Sequence, residues 1–547
     1  MSLQFITGNS GNGKTKYLFN RIVKEAKANP RDNYLVIVPE QFTMQTQRQL
    51  VDLSENKAIM NIDVLSFKRL AYRVFDELGI TNLTVLEETG KNLVLRKLAA
   101  QEADKLGVIG RNLNRIGYIS EVKSLLSELV QYNISPEELG RYIASGRLSD
   151  TLSDKLKDVL VLYEAFEKFM QDKYITAEEI LNVLSNVAEE SAILRNSVIA
   201  FDEFTGFTPI QNQLIKKLFV ISKKIYVTLT IDCREDIFKS RGMQELFDMP
   251  KRTVKSLTEM AAFYGIEVEE PIILDKNYRL AENEELSFME QQLFRKRRCS
   301  FKKAPKHIHI DCLRDPKQEL TKIARRINEL VRNENLRYRD IAIVTGDVNI
   351  YAGYVREIFD KYNIPYFIDA TQEILFHPFI EFIRSIPDIA AQNFSADAVF
   401  RFLRCGFSEL LDSEIDVLEN YVLACGVRGK SAWEKKWVRL PKHKAGYDIE
   451  LLNQSREYIM ELLKPVYQVF SDKKSTVKDY VLAIYKLIVL LNIPDKLAKK
   501  EQALLDAGDQ TASKEYGQIY KIVMQLFEKY VAVLGDECMD AEEFTQI

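Results

Sequence analysis

The sequence predicts an α/β protein built of parallel-sheet domains with large all-helical insertions. Three observations predict it. Short apolar runs alternate with helical stretches near the start and return from about residue 191. A glycine-rich turn joins the first of these runs to the first helix. Two long blocks, 85–190 and 376–547, carry helical periodicity with little strand signal. At one domain per roughly 150 residues, the 547-residue chain has room for three or four domains.

In order, residues 3–7 form a short strand, and 15–28 run with helical periodicity. Residues 34–38 (YLVIV) are a near-continuous apolar run closed by Pro39. Strands apolar on both faces belong to a sheet covered on both sides. The pattern returns at 61–65, at 197–201 (SVIAF) and at 224–231 (KIYVTLTI). The helical block between these strands reads as an insertion through a loop. A boundary falls near 290–305, after which strands are expected at 307–313, 341–345 and 364–368. Helices are expected between them, at 316–333 and 351–362. From 376 helices dominate, and the chain stops at Ile547 as if it were part of something longer.

Composition narrows the function classes. Hydrophobic residues make up 46% and charged residues 28%, which excludes wholesale disorder. With 76 basic against 79 acidic residues, nucleic-acid binding must come from local patches. The four histidines (His307, His309, His377, His443) lack metal-ligand spacing, which argues against a His-built zinc site and His-based nucleophilic catalysis. Six cysteines without a CxxC pair read as buried thiols of a reducing cytoplasm. No signal peptide opens the chain. The longest apolar run, 481–494, is interrupted by Lys486 and falls short of the roughly 20 residues that cross a bilayer. It reads as one buried helix of a cytoplasmic protein with no membrane partner.

The strongest motif is Gly8-Asn9-Ser10-Gly11-Asn12-Gly13-Lys14-Thr15, a match to G-x4-G-K-[ST] between a strand and a helix. Its glycines let backbone N–H groups converge on phosphate oxygens, at the positive end of the helix dipole. Lys14 is the expected ligand of the β/γ-phosphates and Thr15 of Mg²⁺, which makes ATP and Mg²⁺ the expected cofactors. At the end of the 197–201 strand, Asp202 is a candidate metal ligand and Glu203 a candidate base for water.

The order of motifs resembles superfamily 1 helicases of the Rep/UvrD type. Val36-Ile-Val-Pro-Glu-Gln-Phe-Thr43 and Asp63-Val-Leu-Ser-Phe-Lys-Arg-Leu-Ala71 stand where that family's first motor domain contacts DNA. Asp202-Glu203-Phe204 takes the place of its Walker B box. Leu274-Asp-Lys-Asn-Tyr-Arg279 resembles the L-x-x-N-Y-R element, whose arginine faces the γ-phosphate. The opening P-loop, VPEQFT, the phrase from Ser66 to Phe75, and DPKQE with RYRDIA (Arg337 to Ala342) together resemble the B subunit of AddAB (RexAB-like) helicase–nucleases.

That resemblance implies RecA-like P-loop NTPase domains of superfamily 1 type. The first is expected at 1–84 plus 191–290, with a helical insertion at 85–190. The start of a second is expected at 291–375, followed by an incomplete helical insertion at 376–547. It also implies a heterodimer with a helicase/nuclease partner (the A subunit), contact with single-stranded DNA and duplex ends, a role in break repair, and scanning for a recombination signal. The family's exonuclease domain and 4Fe–4S cluster would need a longer chain, since no clustered cysteines occur here. Two departures bear on the motor. Thr205-Gly206 replace the Gln-Asp that follows the Walker acids in active relatives, and Thr230-Ile-Asp-Cys-Arg-Glu235 lacks their Gly-Asp-x-x-Gln box. ATP binding with little or no translocation is therefore expected. The alternatives are an autonomous superfamily 1 helicase and a scaffold with a vestigial P-loop.

Local patches give weaker signals. Phe67, Lys68 and Arg69 are candidate DNA contacts, against an ordinary helix N-terminus. Seven basic residues between Arg295 and Lys306 read first as a solvated linker and second as a DNA-backbone contact. Trp433 and Trp437 read first as a core pair and second as a base-stacking platform.

Overall fold

The structure is a computed structural model that describes residues 1–81, 85–110, 116–146, 148–170, 174–295, 299–369, 374–441 and 447–546. Lys296, Arg297 and Arg298 of the basic run, and His443, lie outside them. The chain divides into two compact units, one of Met1–Lys302 with Glu528–Glu537, the other of Lys303–Phe527 with Cys538–Thr545.

The first unit is organised by a parallel sheet. Its strands are β1 (Ser2–Gly8), β2 (Tyr34–Ile37) and β3 (Ile62–Leu65). Two short strands, β4 (Val85–Leu86) and β5 (Ile175–Thr176), pair with each other apart from it. The sheet resumes with β6 (Val198–Phe201), β7 (Lys224–Thr230), β8 (Glu267–Val268) and β9 (Ile272–Leu274). Its order is β3-β2-β6-β7-β1-β8, with β9 also on β1. Every residue of β2 and β6 is buried, as strands covered on both faces require.

Helices α1 (Lys14–Ala28), α2 (Thr43–Leu53) and α3 (Phe67–Leu78) follow β1, β2 and β3. Leu18, Phe19 and Ile22 of α1 pack on one face of the sheet with Ile6, Val36 and Tyr226. Leu70, Ala71 and Val74 of α3 pack on the other with Phe5, Ile37 and Phe201. The Ser66 hydroxyl accepts from the Arg69 N–H and caps α3, a contact worth about 1 kcal/mol. The segment between β3 and β6 is mainly helical, with helices at Glu88–Gln101 and Asp150–Met170 among others.

The second unit contains helices Pro316–Asn333 and Val348–Lys361, packed through Leu320, Ala324, Ile327, Ile358 and Phe359. The segments 307–313, 341–345 and 364–368, expected as strands, form no ladder among the described residues. A strand is defined by its partner, and these have none described: Ile310, Val344 and Phe367 are 94%, 93% and 88% exposed. The helical remainder contains Ile449–Ser471 and Val477–Leu490. The run at 481–494 is not one buried helix. It breaks at Asn492 (φ 49°), a new helix starts at Ile493, and Val489 and Leu490 are exposed. Cys299, Cys312 and Cys538, which lie outside the helices, are exposed too and Cys233, Cys405 and Cys425 are half-buried, so none of the six thiols is buried as expected. Among the described residues no helix is long and apolar enough to cross a membrane.

Candidate nucleotide site

The site lies at the carboxyl edge of the parallel sheet, where β1, β6 and β7 end side by side. Gly8 closes β1, and a Cβ there would meet the Leu274 carbonyl oxygen at 2.5 Å. Gly11 sits at φ 89°, and its Cβ would meet Arg279 Cβ and Asn277 Oδ1, each at 2.8 Å. Only glycine fits these two positions. The turn is thus moulded against the Asn277-Tyr278-Arg279 element. The N–H of Tyr278 donates to Gly11 O (3.0 Å), and Asn277 Nδ2 donates to Ser10 O (2.9 Å). Asn12 Nδ2 reaches the Leu274 carbonyl at 2.6 Å.

The two strand-end acids meet the start of α1. Thr15 Oγ1 donates toward Asp202 Oδ1 and Glu203 Oε1, 3.3 Å from each. Asp202 Oδ1 also accepts from the Thr228 hydroxyl, while Asp202 Oδ2 is buried with no hydrogen-bond partner among the described residues. Burial raises the Asp202 pKa, and the nearby Glu203 carboxylate adds to the rise. Glu203 itself has φ 64°, a left-handed conformation that costs a side chain about 1–2 kcal/mol. Lys14 Nζ rests on the Asn9 carbonyl at 3.1 Å, and burial lowers its pKa. A cleft of about 800 Å³ joins these groups, lined by Ser10, Gly13, Lys14, Thr15, Asp202 and Arg279 among others. It could hold a triphosphate against the glycine turn and Lys14. A hard cation could sit by Thr15 and Asp202, where the hydroxyl and carboxylate Oδ1 lie side by side.

The neighbouring strand end is closed. Asp232, just after β7, takes Arg234 Nη2 at 2.6 Å and Arg295 Nη2 at 2.9 Å. These arginines hold its carboxyl down at about 2 against the opposing cost of burial. Arg295 also lies over the Phe247 ring, 4.9 Å from its centroid. Arg295 is therefore no solvated linker residue; its side chain is 13% exposed. Asn9 ties this end to the glycine turn, accepting from the Cys233 N–H at 2.9 Å and donating to Glu290 at 2.7 Å. The spacing of the sequence did not reveal the clamp. Its only signal was Asp232 standing in an altered box, since Arg295 is remote in the chain.

The three DNA-contact candidates part company. Phe67 is 7% exposed and packs on Phe201, Phe204 and Phe207 at 5.8, 5.6 and 6.3 Å. Its ring belongs to the core behind β6 and is not open to a base, which corrects its reading as a contact. Lys68 is exposed. Arg69 is exposed and bonds Glu40 at 3.0 Å, and Ser66 bonds Glu40 as well, latching the PEQF turn to α3. Trp433 and Trp437 are buried, as the core-pair reading expects, with ring centroids 5.3 Å apart.

A parallel α/β sheet whose carboxyl edge gathers a glycine turn, a lysine and two acids around one cleft defines the class of this chain. It belongs to the family described as ADDB, N-terminal, whose model matches residues 5–290. Relatives include proteins of Lachnoclostridium phytofermentans (38% identical), Clostridium acetobutylicum (32%) and Clostridioides difficile (31%). Each is named as the B subunit of an ATP-dependent helicase/deoxyribonuclease, and the similarity covers 100% of this chain and 48% of theirs. The chain thus spans about half the length of the curated relatives it matches.

Proposed function

We propose that this chain binds ATP with Mg²⁺ in the cleft at the carboxyl edge of its sheet. In this reading it is a RecA-like, superfamily 1-type P-loop portion of the B subunit of a helicase–nuclease. The observation that carries the reading is the convergence of Lys14, Thr15 and Asp202 on one cleft beside a turn only glycine can form. Backbone N–H groups of the turn and the amino end of α1 hold the phosphates. Lys14 leaves the Asn9 carbonyl for the β/γ-phosphates, where anionic oxygens offset its burial. Thr15 and Asp202 hold the metal ion, and Arg279 supplies positive charge from the far side of the glycine turn. Among the described residues no cluster of three or more His, Cys, Asp or Glu is placed to hold a metal by itself, so phosphate and water supply the remaining ligands. When bound, Mg²⁺ screens phosphate charge and polarises the γ-phosphoryl group.

The assembly acts on DNA as an ATP-dependent helicase and deoxyribonuclease, as the relatives' names support, and in this reading its role is cytoplasmic DNA break repair. A helicase/nuclease partner, the A subunit, supplies the motor, and this chain engages single-stranded DNA and scans it for a Chi-like signal. Lys68 and Arg69 are the contacts that remain exposed for it. The nuclease domain, and any 4Fe–4S cluster, belongs to the part of the longer relatives that this chain does not span. The sealed Asp232 favours this reading over an autonomous helicase, because the acid beyond β7 is occupied by two arginines instead of facing the cleft.

Filter binding of ATP to the wild type and Lys14→Ala tests the proposal. The expected result is a loss of about 100-fold in affinity, from removing a charge-assisted phosphate contact in a buried site. Equal retention by both proteins would leave only a scaffold with a vestigial loop.

A further inference from the structure

β7 carries a polar anomaly. Ile225, Tyr226, Val227 and Leu229 are all buried, and the strand would accept valine at 228 as readily as its neighbours. It has Thr228 instead, 3% exposed. In the parallel ladder Phe201 pairs with Val227, so Asp202 and Thr228 follow side by side. The Thr228 hydroxyl donates to Asp202 Oδ1, the oxygen that also faces Thr15 Oγ1 at 3.3 Å. A carboxylate turns easily about its last torsion. Two hydroxyls on the same oxygen fix that torsion, and the other oxygen, Oδ2, is left buried and unpartnered among the described residues.

We infer that Thr228 is a positioning residue for the cation end of the cleft, its hydroxyl fixing the Asp202 carboxylate so that Oδ1 is held beside Thr15 Oγ1. The inference rests on the nucleotide reading above and adds a residue to it that acts through the Asp202 carboxylate. A threonine kept only to fill the strand would act through its shape. A positioning threonine acts through its hydroxyl, and the two roles separate in the metal dependence of binding.

The test is calorimetric titration of ATP into the full chain, once with Mg²⁺ and once with EDTA, giving the factor by which the metal strengthens binding. Thr228→Val keeps the shape and removes the hydroxyl. It is expected to cut that factor about 10-fold, the lower end of the range for groups that orient metal ligands. Thr228→Ser restores the hydroxyl and is expected to stay within about 2-fold of wild type by the same reasoning. Should the valine variant fail to fold, Thr228→Ala removes the hydroxyl without adding bulk and is expected to show the same loss. An unchanged metal factor in the hydroxyl-free variants overturns the inference, as does a serine variant that loses as much as valine. Wild type that binds no ATP under either condition overturns the nucleotide reading as well, whereas wild-type binding with an unaltered valine factor overturns the Thr228 role alone.

Discussion

Two neighbouring strands of the same sheet end in an aspartate, and the two carboxylates meet opposite fates. At the end of β6, Asp202 turns Oδ1 toward Thr15 at the cleft and keeps Oδ2 without a hydrogen-bond partner among the described residues. Just past β7, Asp232 is saturated by Arg234 and Arg295. Similar residues just past neighbouring strands of one sheet thus serve different ends. One is left available for a ligand, and the other is committed to holding a loop in place. The difference teaches that an acid left available and an acid held by ion pairs can coexist on adjacent strands of one sheet.

Substitutions at each strand end test this contrast. The largest effect is expected behind the open end, where Phe67 supports β6 through Phe201 and Phe207. Phe67→Ala should destabilise the first unit by about 3–4 kcal/mol, read by chemical denaturation. Lys68→Ala should instead leave stability unchanged and lower DNA affinity with a shallower salt dependence, read by titration at several salt concentrations. A DNA defect confined to Phe67→Ala at full stability would return the ring to the DNA-contact class.

At the closed end, Asp232→Ala leaves Arg295 buried without a counter-charge, and a loss of about 3 kcal/mol is expected. ATP affinity should change far less than in Lys14→Ala. The same carboxylate sets a pH window. Its folded value, about 2, lies below the ordinary aspartate value of roughly 3.9. Its contribution is therefore complete above about pH 4 and is lost as pH falls through about 2. Acid unfolding of Asp232→Asn should be flatter across that interval than wild type, followed by far-ultraviolet circular dichroism. A smaller effect belongs to Glu203. Glycine relieves its φ of 64°, so Glu203→Gly should stabilise the fold by about 1 kcal/mol while removing the candidate base for water. A loss of stability on this change would mean that the Thr15 contact outweighs the backbone strain.

Legibility in the sequence followed burial and pairing. β1, β2, β6 and β7 were readable because strands covered on both faces are largely apolar. β3 was readable as a short run although only Ile62 of it is buried. The glycine turn was readable because its geometry admits few residues. β8 and β9 were not, being two and three residues long and only partly buried. The runs at 341–345 and 364–368 have strand composition without a described partner, and composition cannot supply one. In the site, Lys14, Thr15 and Asp202 were legible as a motif and the structure gathers them at one cleft. Thr228 was hidden as an ordinary strand residue, and Arg295 as one charge in a basic run. Both act through contacts between residues far apart in sequence, which spacing does not record.

The central claim is that this chain holds nucleotide at the open strand end without a motor's coupling at the closed one. The most direct measurement puts both halves on one preparation: ATP affinity by calorimetry, and ATP turnover with and without single-stranded DNA. The account predicts magnesium-dependent ATP binding with turnover that DNA does not accelerate. Absence of binding, or turnover raised many-fold by DNA in the isolated chain, would contradict it.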